Sequence, residues 1–397
     1  MKPRIFINMH YMEIGGAERA LLGLLNAVDT NKVDVDLFIN QHTGEFMKLI
    51  PEKINLLPEI SAYSVIEKPI VTAVKKGQLG IAFARIFAKV VHHFCKKNEI
   101  NKDDISIFNL VAKYTIPLLP SLKKYGEYDL AISFLTPHNI VKAKVTAKKK
   151  IAWIHTDYVT VSIRENLELP IWNSFDNIIS ISTDVTKSFI KIFPTLANKI
   201  IEIENILSPS FVHQQAKLFS PVEMHGDLIK ICSIGRFCYQ KNFESIPVIA
   251  KILKDEGLIF KWYIIGFGDT SETIHNIKAT NTEDCVILLG KKENPYPYIA
   301  NCDIYVQPSR YEGKSVTVRE AQILCKPVII TNYPTASSQV ENGVDGIICD
   351  MNNKSIANAI MSLVQDKYKH TEIIKHLSSH DYGNEHEINK IYQLINE

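Results

Sequence analysis

The stretch Asp303-Ile-Tyr-Val-Gln-Pro-Ser-Arg-Tyr-Glu-Gly-Lys-Ser-Val-Thr-Val-Arg-Glu-Ala321 reads as strand, loop and helix. Ile304, Tyr305 and Val306 form a short apolar run that ends at Pro308. Gly313 supplies a permissive backbone position, Ser315 is a candidate N-cap, and a helix is predicted from Val316 to Leu324. A helix N-terminus after a glycine offers backbone N–H groups and partial positive charge, which suits a phosphate. Two carboxylates bracket it: Glu312 just before the turn and Glu320 inside the helix. Carboxylates do not favour a phosphate, but they accept hydrogen bonds from sugar hydroxyls. A diphosphate with a sugar on each side, as in a nucleotide sugar, matches that arrangement. An ordinary capped surface helix with two solvated glutamates has the same pattern, so this stretch alone leaves both readings open.

Upstream of it, Leu228–Phe237 reads as a buried strand delivering Ser233-Ile-Gly-Arg236, with Lys241 in the same loop and a helix predicted from Phe243 to Glu256. Arginine offers a fork and lysine a point charge, and both suit phosphate oxygens. A strand at 261–265 leads into Gly266-Phe-Gly-Asp269, and one at 285–289 into Gly290-Lys291-Lys292. After the opening stretch come a strand at 327–331, the turn Asn342-Gly-Val-Asp-Gly346 and further helices, the last over 386–396.

The first half repeats the alternation. Arg4–Tyr11 reads as a strand, Gly15-Gly16 closes a loop, and Ala17–Val28 is an amphipathic helix. The paired glycines serve either a tight turn or close approach to a ligand. The pattern is not Gly-x-Gly-x-x-Gly, so a dinucleotide fingerprint is missing. Residues 70–97 read as one basic amphipathic helix, suited either to an anionic membrane surface or to packing on the core with solvated lysines. Lys142, Lys144 and Lys148 to Lys150 form a second acid-free cluster that reads as a solvated face. A strand at 150–155 delivers His155-Thr-Asp157, where a histidine can donate to a hydroxyl or phosphate, with Asp157 as a candidate orienting group; a lone histidine is also commonly structural.

Strand–helix alternation in both halves predicts an α/β chain of two doubly wound domains. The N-terminal domain is expected over 1–207, a linker over 208–227 and a C-terminal domain over 228–380. A final helix over 381–397 is the candidate for crossing back to the first domain. The length of 397 residues, 46% apolar and 22% charged content fit a globular chain, and a net charge of +2 gives no nucleic-acid signature. The seven cysteines form no Cys-x-x-Cys pair, so reduced thiols are expected and a zinc or redox motif is not. The N-terminal apolar run is too short for a signal peptide, and no stretch is long and apolar enough to span a bilayer. The expectation is a cytoplasmic chain whose membrane contact is at most peripheral, on the inner face.

These residues together resemble a known family, the retaining glycosyltransferases of the GT-B fold, family 4. The likeness rests on Glu312 and Glu320 with Ala321 and Lys326-Pro-Val-Ile-Ile, on Gly15-Gly16-Ala17-Glu18, on Ser233-Ile-Gly-Arg236 with Lys241, on Gly266-Phe-Gly-Asp269 and on Asn342-Gly-Val-Asp-Gly346. The motifs fall in family order across nearly the whole chain.

The resemblance implies transfer of a hexose or N-acetylhexosamine from a nucleotide sugar, UDP-linked first and GDP-mannose next. The implied acceptor is a glycan or a polyprenyl-diphosphate-linked oligosaccharide in bacterial surface-polysaccharide synthesis. Arg236 and Lys241 would bind the donor diphosphate and stabilise the leaving group. Gly313, Lys314, Ser315 and Val316 would give backbone contacts, Glu312 would read donor-sugar hydroxyls, and Glu320 would hold the ribose. Gly15 and Gly16 would approach the donor, His155 would sit near the sugar, and Gly290 with Lys291 would line the base pocket. Arg236, Lys241, Glu312 and His155 are the catalytic candidates. The family commonly has Gly-Phe/Leu-Gly/Pro where this chain has Gly313-Lys314-Ser315-Val316, which weakens the carry-over of the sugar contact. No Asp-x-Asp lies at a suitable loop, so no metal or other cofactor is expected. Two other readings share the fold: a sugar-nucleotide epimerase, which needs acid/base carboxylates, and a non-catalytic nucleotide-sugar-binding subunit.

Overall fold

The structure is a computed structural model that describes residues 2–95, 103–104, 106–155, 158 and 161–396. The chain divides into two compact units, Met1–Ile206 with Glu385–Glu397, and Leu207–Asn384.

The first unit is built on a parallel sheet of seven strands among the described residues, in the order Asn55–Leu56, Asp34–Ile39, Arg4–Met9, Glu127–Ser133, Thr146–Ile154, Asn177–Ser180, Ile200–Glu202. Its central strands are continuous apolar runs, as a sheet covered on both faces requires: Ile5, Phe6, Ile7, Leu130, Ala131 and Ile132 are all buried. The order turns back at Arg4–Met9, where Ile5 pairs with Val35 on one side and Leu130 on the other. Crevices at the carboxyl ends of strands flanking such a turning point are where open α/β sheets hold ligands. In this unit that point lies beside His10 and the 134–138 segment.

The second unit repeats the plan with six parallel strands among the described residues, ordered Val286–Gly290, Phe260–Ile265, Ile229–Ile234, Ile304–Gln307, Val328–Thr331, Gly346–Cys349. Ile231 pairs with Trp262 and with Ile304, so the turning point lies between the 229–234 and 304–307 strands. Their carboxyl ends deliver Gly235-Arg236 and Pro308 to Glu312. Gly266 allows the neighbouring loop to close on this point, because a Cβ there would lie 1.8 Å from the Gly235 carbonyl oxygen.

Three segments refine the expected organisation. Residues 208–227 are not an extended linker. Ser208 accepts from the Phe211 N–H at 3.4 Å, Pro209 occupies the first turn, and Pro209–Ala216 is a helix of the second unit. Phe211 is buried there, edge-on to Tyr296. The terminal segment 385–397 belongs to the first unit: the Tyr392 hydroxyl accepts from the Asp29 N–H at 2.8 Å, and Glu387 accepts from the Glu204 N–H at 3.1 Å. The predicted 70–97 helix is two helices, Ile70–Lys75 and Leu79–Cys95, broken at Gly77 with φ 71°; Lys96 and Lys97 lie outside the described residues. Among the described residues, no helix is long and apolar enough to cross a membrane.

Candidate functional site

The second sheet brings the sequence's cation–carboxylate set together. Lys241 runs its stem along Gly235, where a Cβ would lie 3.2 Å from Lys241 Cε, and its ammonium reaches Glu312 Oε1 at 2.5 Å. Glu312 is nearly enclosed, its side chain 6% exposed, and it also accepts from Ser309 Oγ at 2.6 Å and from Gln240 Nε2 at 3.1 Å. Behind it, Gln307 donates to Ser309 at 2.9 Å and accepts from the Tyr305 hydroxyl at 2.8 Å. Residues 305, 307 and 309 share one side of the chain, as the two-residue strand period dictates. A buried polar file therefore runs from Tyr305 to Lys241 and fixes the ammonium before any ligand arrives. An ammonium has three donors; one goes to Glu312, which leaves two for phosphate oxygens. Arg236 is exposed and makes no hydrogen bond or ion pair with the described residues. Glu312, assigned by resemblance to the donor sugar, is thus already the partner of Lys241.

The helix after this loop is Val316–Ile323, and Ser315 precedes it in extended conformation without a side-chain cap bond. Gln339 instead brackets the backbone groups of Ser315. Its Oε1 accepts from the Ser315 N–H at 3.0 Å, and its Nε2 donates to the Ser315 carbonyl at 2.5 Å. The Ser315 amide is therefore satisfied internally, and the Val316, Thr317 and Val318 amides are the helix-start donors without an intrahelical acceptor. Gly313 is half-buried and Lys314 exposed beside them. Glu320 is fully buried and accepts from the Tyr296 hydroxyl at 2.8 Å. Gly290 adopts φ 68° at an exposed turn, and Lys291 lies over the Phe267 ring at 5.6 Å.

The remaining expected residues lie on the first unit. Gly15 is extended before the helix Gly16–Ala27, and a Cβ on it would lie 2.1 Å from Glu18 Oε2. The first glycine thus makes room for a buried carboxylate over a helix N-terminus, a favourable position for negative charge. A Cβ on Gly16 would meet no atom within 4 Å, so Gly16 is the open one of the pair. His155 follows the strand Thr146–Ile154, with its ring 4.6 Å from Phe134, and its Nε2 is enclosed with no hydrogen-bond partner among the described residues. Burial lowers its pKa to about 3, so the ring is neutral. Asp157, its candidate orienting group, lies outside the described residues.

The sequence reading missed two neighbours at the same strand ends. His10 Nδ1 lies 2.7 Å from Glu67 Oε1. Burial opposes charge on His10, but the adjacent Glu67 carboxylate and its hydrogen bond outweigh burial and raise the pKa; burial opposes charge on Glu67 as well, and His10 lowers its pKa in return. His138, reached through the 134–137 segment, bonds Ser133 Oγ at 2.8 Å and packs edge-on to Trp172, and burial holds its pKa at about 3. His10 directly follows the first strand and was findable from that position; nothing local connects it to Glu67.

Known proteins are similar to this chain in sequence and in fold. Residues 215–378 match the family described as "Glycosyl transferases group 1". An uncharacterized glycosyltransferase of Haemophilus influenzae is 23% identical over 396 residues, covering 96% of this chain and 97% of its own. The Escherichia coli UDP-Gal:alpha-D-GlcNAc-diphosphoundecaprenol alpha-1,3-galactosyltransferase is 28% identical over 140 residues, 34% of this chain and 36% of its own. The fold is similar to that of a TarM mutant from S. aureus, crystallised with fondaparinux, alpha-GlcNAc-glycerol and UDP, with a TM-score of 0.66, 13% identity and full coverage of both chains. Residues 215–378 are thus similar to the group 1 glycosyltransferases, on a chain whose fold is that of the GT-B glycosyltransferases.

Proposed function

We propose that the chain is a retaining, family 4 type glycosyltransferase that moves a hexose or N-acetylhexosamine from a UDP-sugar to a polyprenyl-diphosphate-linked or glycan acceptor in bacterial surface-polysaccharide synthesis, at the inner face of the membrane. The observation that carries this reading is the Lys241–Glu312–Ser309 file beside exposed Arg236, at the turning point of a parallel sheet and next to a helix start. UDP in the TarM complex and a UDP-Gal donor with a diphosphoundecaprenol acceptor in the Escherichia coli relative support the choice of donor and acceptor class.

Departure of the diphosphate develops negative charge on its oxygens. Lys241, held in place by Glu312, and Arg236, with its unengaged fork, supply fixed positive charge there, a preorganised electrostatic contribution. That charge serves in place of a metal ion. With retention, the acceptor hydroxyl attacks from the leaving-group side, its proton passes to the departing phosphate oxygen, and no protein nucleophile is needed. A thermal-shift panel of nucleotide sugars tests the donor, since a ligand that binds only the folded state raises Tm by mass action. A UDP-sugar is expected to raise Tm and UDP to do so as well; a panel without any shift overturns the reading. The anomeric configuration of the product, read by NMR, tests retention.

A further inference from the structure

The helix Leu79–Cys95 is inside out. On an ordinary surface helix the apolar stripe faces the core. Here the core-facing side carries Ile81, Ala82, Arg85 and Ala88, all buried, and the Arg85 guanidinium donates to the Val65 carbonyl at 2.7 Å. The outward side carries Leu79, Phe83, Ile86, Phe87, Val90 and Phe94, from 46% to 80% exposed. At the α-helical repeat these six fall within an arc of about 100°. The stripe continues at its edge, where the Phe87 ring meets Tyr114 at 4.9 Å and Leu118 is half exposed. A contiguous exposed apolar surface of this kind marks an interaction site.

Charge identifies the occupant. No aspartate or glutamate occurs between Lys68 and Cys95. Lys75 and Lys89 are exposed around the stripe, and Lys113 stands over Tyr114 beside it, whereas Lys76 is tied to Glu59 at 3.6 Å. A second copy of the chain applied to this face would bring Lys75 and Lys89 against like charges, with no acid between Lys68 and Cys95 to answer them. A bilayer with anionic headgroups complements both parts, because aromatic and aliphatic side chains enter the acyl boundary while lysines stay at phosphate level.

We propose that the outward face of the Leu79–Cys95 helix docks this protein on an anionic lipid bilayer, with Phe83, Phe87 and Phe94 inserted and Lys75 and Lys89 on the headgroups. The inference rests on the reading of a membrane-held acceptor for its purpose, and on this surface alone for its physics.

The test is flotation of the full chain with vesicles of phosphatidylethanolamine and phosphatidylglycerol, alongside the triple variant Phe83→Ser, Phe87→Ser, Phe94→Ser and the variant Lys75→Glu, Lys89→Glu. The wild type is expected to float. The triple serine variant should bind at least about tenfold less, and the glutamate variant should lose the preference for anionic vesicles. Wild type that stays at the bottom at low salt overturns the proposal, as does a serine variant that floats equally well. So does a wild-type dimer that the serine variant converts to monomer without any flotation, since a second copy would then be the occupant. UDP thermal shift measured on the same variants separates the two readings: an unchanged shift with lost flotation isolates docking, and a missing shift in floating wild type breaks the donor reading alone.

Discussion

At the turning point of the second sheet, Arg236, Lys241 and Glu312 come from segments close to their own strands, and the groups are charged, with Lys241 and Glu312 tied to each other. At the turning point of the first sheet the groups are imidazoles, His10 and His138 with His155 on the next strand, and only His10 has a carboxylate partner among the described residues. The same topology thus presents two chemistries. A cationic end fits a donor diphosphate. An end where burial holds His138 and His155 neutral and Glu67 answers His10 fits hydroxyl groups, because an imidazole held uncharged can accept or donate without attracting phosphate.

The largest expected effect falls on the cationic end. Lys241→Ala should lower turnover by on the order of 10²- to 10³-fold, the usual loss when one preorganised charge-stabilising group is removed. Steady-state rates with a UDP-sugar, on protein shown to be folded, check this; normal turnover removes Lys241 from the mechanism. Gly266→Ala comes next. Its Cβ would meet backbone, the Gly235 carbonyl oxygen at 1.8 Å, so the loop carrying Arg236 must shift. A loss of about 2–3 kcal/mol of stability is expected, with weaker UDP binding alongside; an unchanged denaturation midpoint contradicts that packing.

The imidazole end should show itself in acid. Burial holds His138 neutral with a pKa of about 3, against 6.5 for the ordinary group. Between those values the unfolded chain binds the extra proton, so stability falls as pH drops through the window, by up to about 1.4 kcal/mol per pH unit. His138→Gln should flatten the fall measured from pH 6.5 down to about 5, above most carboxylate titrations. A slope equal to that of the wild type would mean that His138 is protonated in the fold. The smallest effect belongs to the outward helix face. Phe83→Ser should change stability by no more than about 0.5 kcal/mol, since the ring is 79% exposed. A larger loss by urea denaturation would show that the ring packs on something.

Much of the second unit was legible because its signals are local. Gly235, Arg236 and Lys241 share one loop, and Glu312 to Glu320 share one turn and helix, so spacing alone places them together. What spacing did not show was that Glu312 is the counter-ion of Lys241, or that Gln339, from another loop, bonds both backbone groups of Ser315. The first unit was less readable because its site is assembled across strands: Glu67 meets His10 only through the tertiary fold. Periodicity in the 79–95 helix correctly gave a two-faced helix, yet it could not say which face was outside. Buried Arg85 and Ala88 settle that only through their neighbours. The segment after Ser208 reads as a linker because its polar residues hide the short apolar face of Phe211 and Val212.

The central claim is that the diphosphate of a donor binds at the carboxyl end of the 229–234 strand. Titration calorimetry of UDP against wild type and Arg236→Ala tests it most directly, because Arg236 is exposed and bonds to none of the described residues, so its removal should leave the fold intact. The account predicts unchanged Tm without ligand and UDP affinity reduced by roughly 10- to 100-fold, the value of a charge-assisted hydrogen bond. Equal affinity for UDP in the two proteins would contradict it.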